Sequence, residues 1–103
     1  MINKNLCNQI HRQVLAYTVA RKHYGDKAQI TKTLEELSEF AHELEHWMIH
    51  NDNKEKVIEE LADVENMLAQ MKDMLDIHFS VECVKREKME RTISRIQEEI
   101  IGT

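Results

Sequence analysis

The chain has 103 residues, with 19 acidic and 14 basic side chains for a formal net charge of −5. That length allows one domain, residues 1–103, with a modest core and no second catalytic module, and the acidic balance excludes a surface built to coat nucleic acid. Proline is absent and glycine occurs only at Gly25 and Gly102, while helix formers abound, so sheet punctuation is missing and all-α is the expected class.

The first predicted helix runs from about Asn5 to Tyr24 with Leu6, Ile10, Val14, Leu15 and Tyr17 as its apolar positions. Gly25 is placed to stop it with a positive φ, and Asp26 to cap the next. The second, from about Lys27 to His50, carries Ile30, Leu34, Leu37, Ala41, Leu44 and Met48 at alternating spacings of four and three, a stripe expected to face a bundle interior. The NDN at 51–53 ends it. Asp52 followed by Glu55 resembles a capping box for the third helix, which has Val57, Leu61, Val64, Leu68, Met71 and Leu75 at the same spacing. A turn is expected near His78 and Phe79. Ser80 would then cap the fourth helix, about Val81 to Ile101, whose apolar positions Val84, Met89, Ile93, Ile96 and Ile100 are set among charges.

Short connections make neighbouring helices antiparallel, so the expectation is an antiparallel bundle of about four helices whose second and third members form a hairpin. A chain this short with a polar cluster on that hairpin has a thin core, and burial against further copies, as a homodimer or homotetramer, is expected. No apolar run approaches the ~18 residues that would span a bilayer, and the opening MINKNLCNQIHRQ has no apolar signal core. No membrane association and a cytoplasmic location are the corresponding expectations. Cys7 and Cys83, distant and without a CxxC partner, read as free thiols.

Two metal patterns compete on the hairpin. HELEH at 42–46 fits H-E-x-x-H, which would put His42 and His46 on a zinc ion with Glu43 as base. Glu59 or Glu60 could add the third ligand. His50 lies a further turn along the same helix, and three ligands in a row do not surround one ion. No strand is predicted to hold an extended peptide. A solvated histidine row is the other reading of this segment.

The second pattern is E-E-x-x-E at Glu35, Glu36 and Glu39, followed by E-x-x-D at Glu60 and Asp63. Each pair is spaced i, i+3, so both carboxylates leave one side of the helix, on the flank of the apolar stripe. In an antiparallel hairpin the two flanks can meet. Four carboxylates brought together repel and raise one another's pKa, so a cation is implied. All-oxygen ligation selects Mg²⁺ or Mn²⁺, and such a site accommodates a triphosphate. Phe40 and Trp47 share the flank of Glu36, Glu39 and Glu43 and could wall a nucleobase, or serve as core or interface. Met67 and Met74 continue the flank of Glu60 and Asp63. On the fourth helix Lys88, Arg91 and Arg95 form a basic edge, suited to phosphate or to salt bridges with Glu87, Glu90 and Glu98.

With EELSEF, then EELADVENMLAQM, then KREKMERTISRI, the chain resembles the MazG-like nucleotide pyrophosphohydrolases, an all-α NTP pyrophosphatase group. The similarity spans roughly residues 24–95, including YGDKAQITKTLEELSEF. The resemblance implies a helical bundle assembled as dimers or dimers of dimers. It also implies Mg²⁺-dependent hydrolysis of a nucleoside triphosphate to the monophosphate and pyrophosphate, in nucleotide-pool housecleaning. Its metal ligands fall on Glu36, Glu39, Glu60 and Asp63, and its downstream basic motif on Lys88 and Arg91, with Thr92 where relatives often have asparagine. Glu35 or a ligating carboxylate such as Glu39 would orient the attacking water. A non-catalytic helical oligomerisation module is the alternative, and the zinc peptidase a third reading.

Overall fold

A computed structural model describes residues 4–102, apart from the side chains of Lys4, Leu6, Cys7 and Ile10, so the expected roles of Leu6, Cys7 and Ile10 lie outside the described side chains. Four helices follow one another, α1 (Lys4–Tyr24), α2 (Asp26–His50), α3 (Glu55–Met74) and α4 (His78–Ile101), with no strand among the described residues. The fold is all-α, as expected.

Each connection has a local cause. Gly25, at φ 88° and ψ 157°, occupies a region that side-chain-bearing residues avoid, and its N–H donates to the Arg21 carbonyl at 2.8 Å. Gly25 is itself the N-cap, so Asp26 becomes the first helical residue, and its carboxylate accepts from Arg21 Nε at 3.0 Å instead of capping. Asn51 closes α2 in the left-handed region, its N–H donating to the Trp47 carbonyl at 2.7 Å. The N-cap of α3 is Lys54, not Asp52, and Asn53 just before it accepts the Glu55 N–H on its Oδ1 at 2.8 Å.

The α3–α4 turn comes earlier than expected, at Leu75, Asp76 and Ile77, which leaves Ser80 inside α4. Asp76 adopts φ 53°, and the Ile77 and Asp76 amides donate back to the carbonyls of Lys72 and Asp73 at 3.0 and 3.2 Å. This is a Schellman closure with aspartate in place of the usual glycine. With no glycine in the segment to mark it, the stop is hard to foresee.

The α2–α3 hairpin is the body of the molecule, and its seam overturns one expectation. The residues that α2 turns toward α3 are Gln29, Thr33 and Glu36, all buried, then Phe40, Glu43 and Trp47, half-buried. This row sits one residue, about 100° of rotation, from the apolar stripe expected to face inward. On α3 the row is Val57, Glu60, Val64, Met67, Met71 and Met74, with Gln70 beside it. The predicted α2 stripe points outward instead, with Leu34 62 % exposed, Met48 69 % and Leu44 exposed too, while the α3 stripe is split: Val57, Val64 and Met71 lie in the seam row, and Leu61, Leu68 and Leu75 are exposed. Val64 is the one apolar residue buried outright among the described residues.

α1 lies against this hairpin, where Gln70 Nε2 donates to the Tyr17 carbonyl at 3.4 Å and Arg21 Nη1 approaches Asp73 Oδ2 at 3.7 Å. α4 departs from it. No residue of α4 is buried, and an ion pair between Lys72 and Glu82 at 3.5 Å ties its first turns to α3. The radius of gyration is accordingly 17.7 Å, against about 13 Å for a compact chain of this length.

Candidate metal centre

Because the seam is formed by the flanks, it carries one carboxylate of each acidic pair, Glu36 and Glu60, inward. Glu36, Glu60 and Asp63 each offer a carboxylate oxygen, and the three lie within 4.8 Å of one another. Among the described residues no other group of three or more His, Cys, Asp or Glu side chains converges in this way. Glu36 is 5 % exposed, Glu60 half-buried and Asp63 exposed, so the cluster runs from the seam to the surface.

Its charge is poorly compensated. Lys32 Nζ reaches Glu36 Oε1 at 2.9 Å from the preceding turn, and the hydrogen bond to Glu36 is the main reason the Lys32 amine is held above its ordinary pKa. The second oxygens, Glu36 Oε2 and Glu60 Oε2, are buried without a hydrogen-bond partner. Burial pushes the Glu60 carboxyl up, reinforced by the charges of Glu39, Asp63 and Glu36 and by hydrogen bonding with Glu39. Buried carboxylate oxygens without a donor are costly, and a hard divalent cation is the group that satisfies several at once. The donor set, all oxygen and partly open to solvent, fits Mg²⁺ or Mn²⁺.

Glu39, expected as the fourth ligand, stands outside the triad but next to Glu60, and both line a depression of about 420 Å³ with Ser38, His42 and Glu43. Glu35 opens onto a larger groove of about 830 Å³, whose wall includes Tyr24, Lys27, Lys32 and Met67. Lys32, Glu35, Glu39 and His42 recur at spacings of three and four, so groove and depression follow one edge of α2 past the triad.

Other candidates are placed elsewhere. Phe40 and Trp47 are half-buried in the seam row and line neither the groove nor the depression, and Lys54 Nζ sits 5.6 Å over the Trp47 ring. Lys88, Arg91 and Arg95 are exposed on α4, and among the described residues no ion pair or hydrogen bond joins them to the carboxylates or to Glu87, Glu90 and Glu98. Sequence reasoning missed Lys32 and the Tyr24–Lys27 groove. The only signal for Lys32 was its i, i+4 spacing from Glu36, which any helical salt bridge shares. Cys83 is a free thiol, and among the described residues no helix is long and apolar enough to cross a membrane. Comparison with known protein families, with curated proteins and with solved structures gives no match.

Proposed function

We propose that this chain is a MazG-like pyrophosphohydrolase that splits a nucleoside triphosphate into the monophosphate and pyrophosphate. The observation that carries this reading is the convergence of Glu36, Glu60 and Asp63 with two buried carboxylate oxygens left unpartnered. Glu36, Glu60 and Asp63 would hold Mg²⁺, which when bound supplies electrostatic stabilisation of the charge that develops on the phosphate oxygens. Glu39, beside Glu60 and open to the outer depression, takes the proton from the attacking water, with Glu35 one turn away as the other candidate. The groove lined by Tyr24, Lys27 and Met67 receives the nucleoside, and its volume lies within the ~300–1,000 Å³ usual for small-molecule sites. Lys32, at the border of groove and triad, is a cation ready to face phosphate.

The exposed rows on α2, α3 and α4 support assembly as a homodimer or homotetramer, because apolar side chains at helical spacing gain free energy only when covered. Lys88, Arg91 and Arg95 are the proposed phosphate contacts of that assembly. The same rows favour, as a second reading, an oligomerisation module without turnover.

The test is release of pyrophosphate from a panel of canonical and modified nucleoside triphosphates in Mg²⁺. Turnover by the wild type, abolished in both Glu39→Gln and Asp63→Asn, is the expected result. No turnover on any triphosphate leaves the oligomerisation module. Zinc-dependent peptide cleavage lost on His42→Ala would establish the peptidase instead.

A further inference from the structure

Gln29 is a buried amide at the base of the groove beside the triad. It is 8 % exposed and lines that groove with the half-buried Met67 of α3, below a rim of exposed Tyr24, Lys27, Thr31 and Glu35. The backbone here is pinned, because the Gln29 N–H donates to the Gly25 carbonyl at 3.2 Å and Thr33 Oγ1 donates to the Gln29 carbonyl at 2.8 Å. The Thr31 hydroxyl is engaged in the same way on the Lys27 carbonyl at 3.0 Å. Among the described residues no group hydrogen-bonds the side-chain amide of Gln29. Its nitrogen and oxygen are not among the atoms sealed from solvent, and the groove is the opening that the residue lines.

A primary amide held largely out of water is costly unless a partner enters, since it presents N–H donors beside a carbonyl acceptor. The group that meets both is a planar edge with an acceptor next to a donor, as on a nucleobase, and carboxamides pair with base edges bidentately. A phosphate oxygen would satisfy only the N–H half of the amide. The thioether of Met67 and the ring of Tyr24 add apolar surface for the faces of a ring.

We propose that Gln29 is the specificity-determining residue of the groove, reading the Watson–Crick edge of the base while Lys32 and the triad face the phosphates. This assignment rests on the groove being the nucleoside site of the function proposed above.

The experiment is an NMR titration of the full chain in Mg²⁺ with each of the four ribonucleosides, read on the Gln29 side-chain amide signal, which Gln29→Met identifies by its loss. Nucleosides carry no phosphate, so the readout is binding without turnover. At least one is expected to move the signal saturably, and its affinity to fall about tenfold or more in Gln29→Met, as for a hydrogen bond lost in a buried site. Methylating the donor on the base edge, as in 3-methyluridine, should cost the wild type a similar factor and the variant nothing further, because both changes remove one interaction. A merely structural role would leave the two effects additive. Methionine is a good helix former, and circular dichroism checks that Gln29→Met keeps its helicity. The methylated nucleoside tests the same contact in the wild type, with no variant to fold. Absence of saturable binding by all four nucleosides, or equal affinity in Gln29→Met, overturns the proposal. Pyrophosphate release together with either result would sink this assignment alone, whereas nucleoside binding through Gln29 without pyrophosphate release removes the hydrolysis and leaves Gln29 as the base reader.

Discussion

Glu36→Gln should reverse its effect on stability according to whether Mg²⁺ is present. In chelator the substitution removes the charge that faces Asp63, whose ligand oxygen lies within 4.8 Å of that of Glu36. At that distance two unit charges repel by about 1 kcal/mol in water and about 3.5 kcal/mol at an effective dielectric constant of 20. Asp63 is exposed, so the value near 1 kcal/mol applies. Relief from the charge of Glu60 adds to it, and the new amide can donate to the unpartnered Glu60 Oε2. Against this stands loss of the ion pair with Lys32, whose side chain is 55 % exposed, at roughly 0.5 kcal/mol. The metal-free variant is therefore expected to be more stable than the wild type by about 0.5–1 kcal/mol, a rise in Tm of a few degrees for a domain this size. With Mg²⁺ at about a hundred times its Kd the wild type gains about 2.7 kcal/mol, and a variant lacking one ligand gains far less. The order of the two Tm values then inverts. Thermal unfolding at one fixed chain concentration, with chelator and then with Mg²⁺, measures both arms. An identical Mg²⁺ shift in both proteins, or a variant less stable in chelator, refutes the reasoning.

Two further outcomes test the seam and the outer rows. The Glu60 carboxyl is pushed up chiefly by burial, so folded protein holds a proton that unfolded chain has released. Acidification from neutral pH toward the ordinary carboxylate range should therefore stabilise the wild type relative to Glu60→Gln in chelator, and this advantage should fade as pH rises through the folded value. Denaturant melts of the pair across that window measure the difference, and a difference that grows with rising pH contradicts the assignment. Leu34, 62 % exposed, would contribute about 1 kcal/mol per copy if covered by a second copy, from the roughly 2 kcal/mol for burying a whole leucine. In a symmetric dimer Leu34→Ala should raise the dissociation constant about thirtyfold, since every 1.4 kcal/mol is a factor of ten. Sedimentation equilibrium measures it, and an unchanged constant removes Leu34 from the interface.

The four helices were legible because their cause is local. Spacing of apolar residues, the absence of proline, Gly25 with its positive φ and the NDN stop all act within a few residues of where they stand. Convergence of Glu36 with Glu60 and Asp63 was legible in the weaker sense that i, i+3 spacing on facing helices permits it. The caps fall elsewhere than at Asp26, Asp52 and Ser80 because several polar residues adjoin each helix start, and side chains across the same turns, Arg21 and His46, lie against the two aspartates.

What sequence alone determined, then, is helix content, helix order and which side chains share a face. Which face of α2 turns inward was decided only by the tertiary structure. Two rows lie about 100° apart on that helix, Gln29–Thr33–Glu36 and Ile30–Leu34–Leu37, and helical periodicity marks both as continuous. Hydrophobicity points to the second row as the interior, but it acts on whatever water-excluding surface is at hand and does not say which surface that is. In this chain the polar row faces α3, so the carboxylates gather at the seam while the leucines are left to face outward.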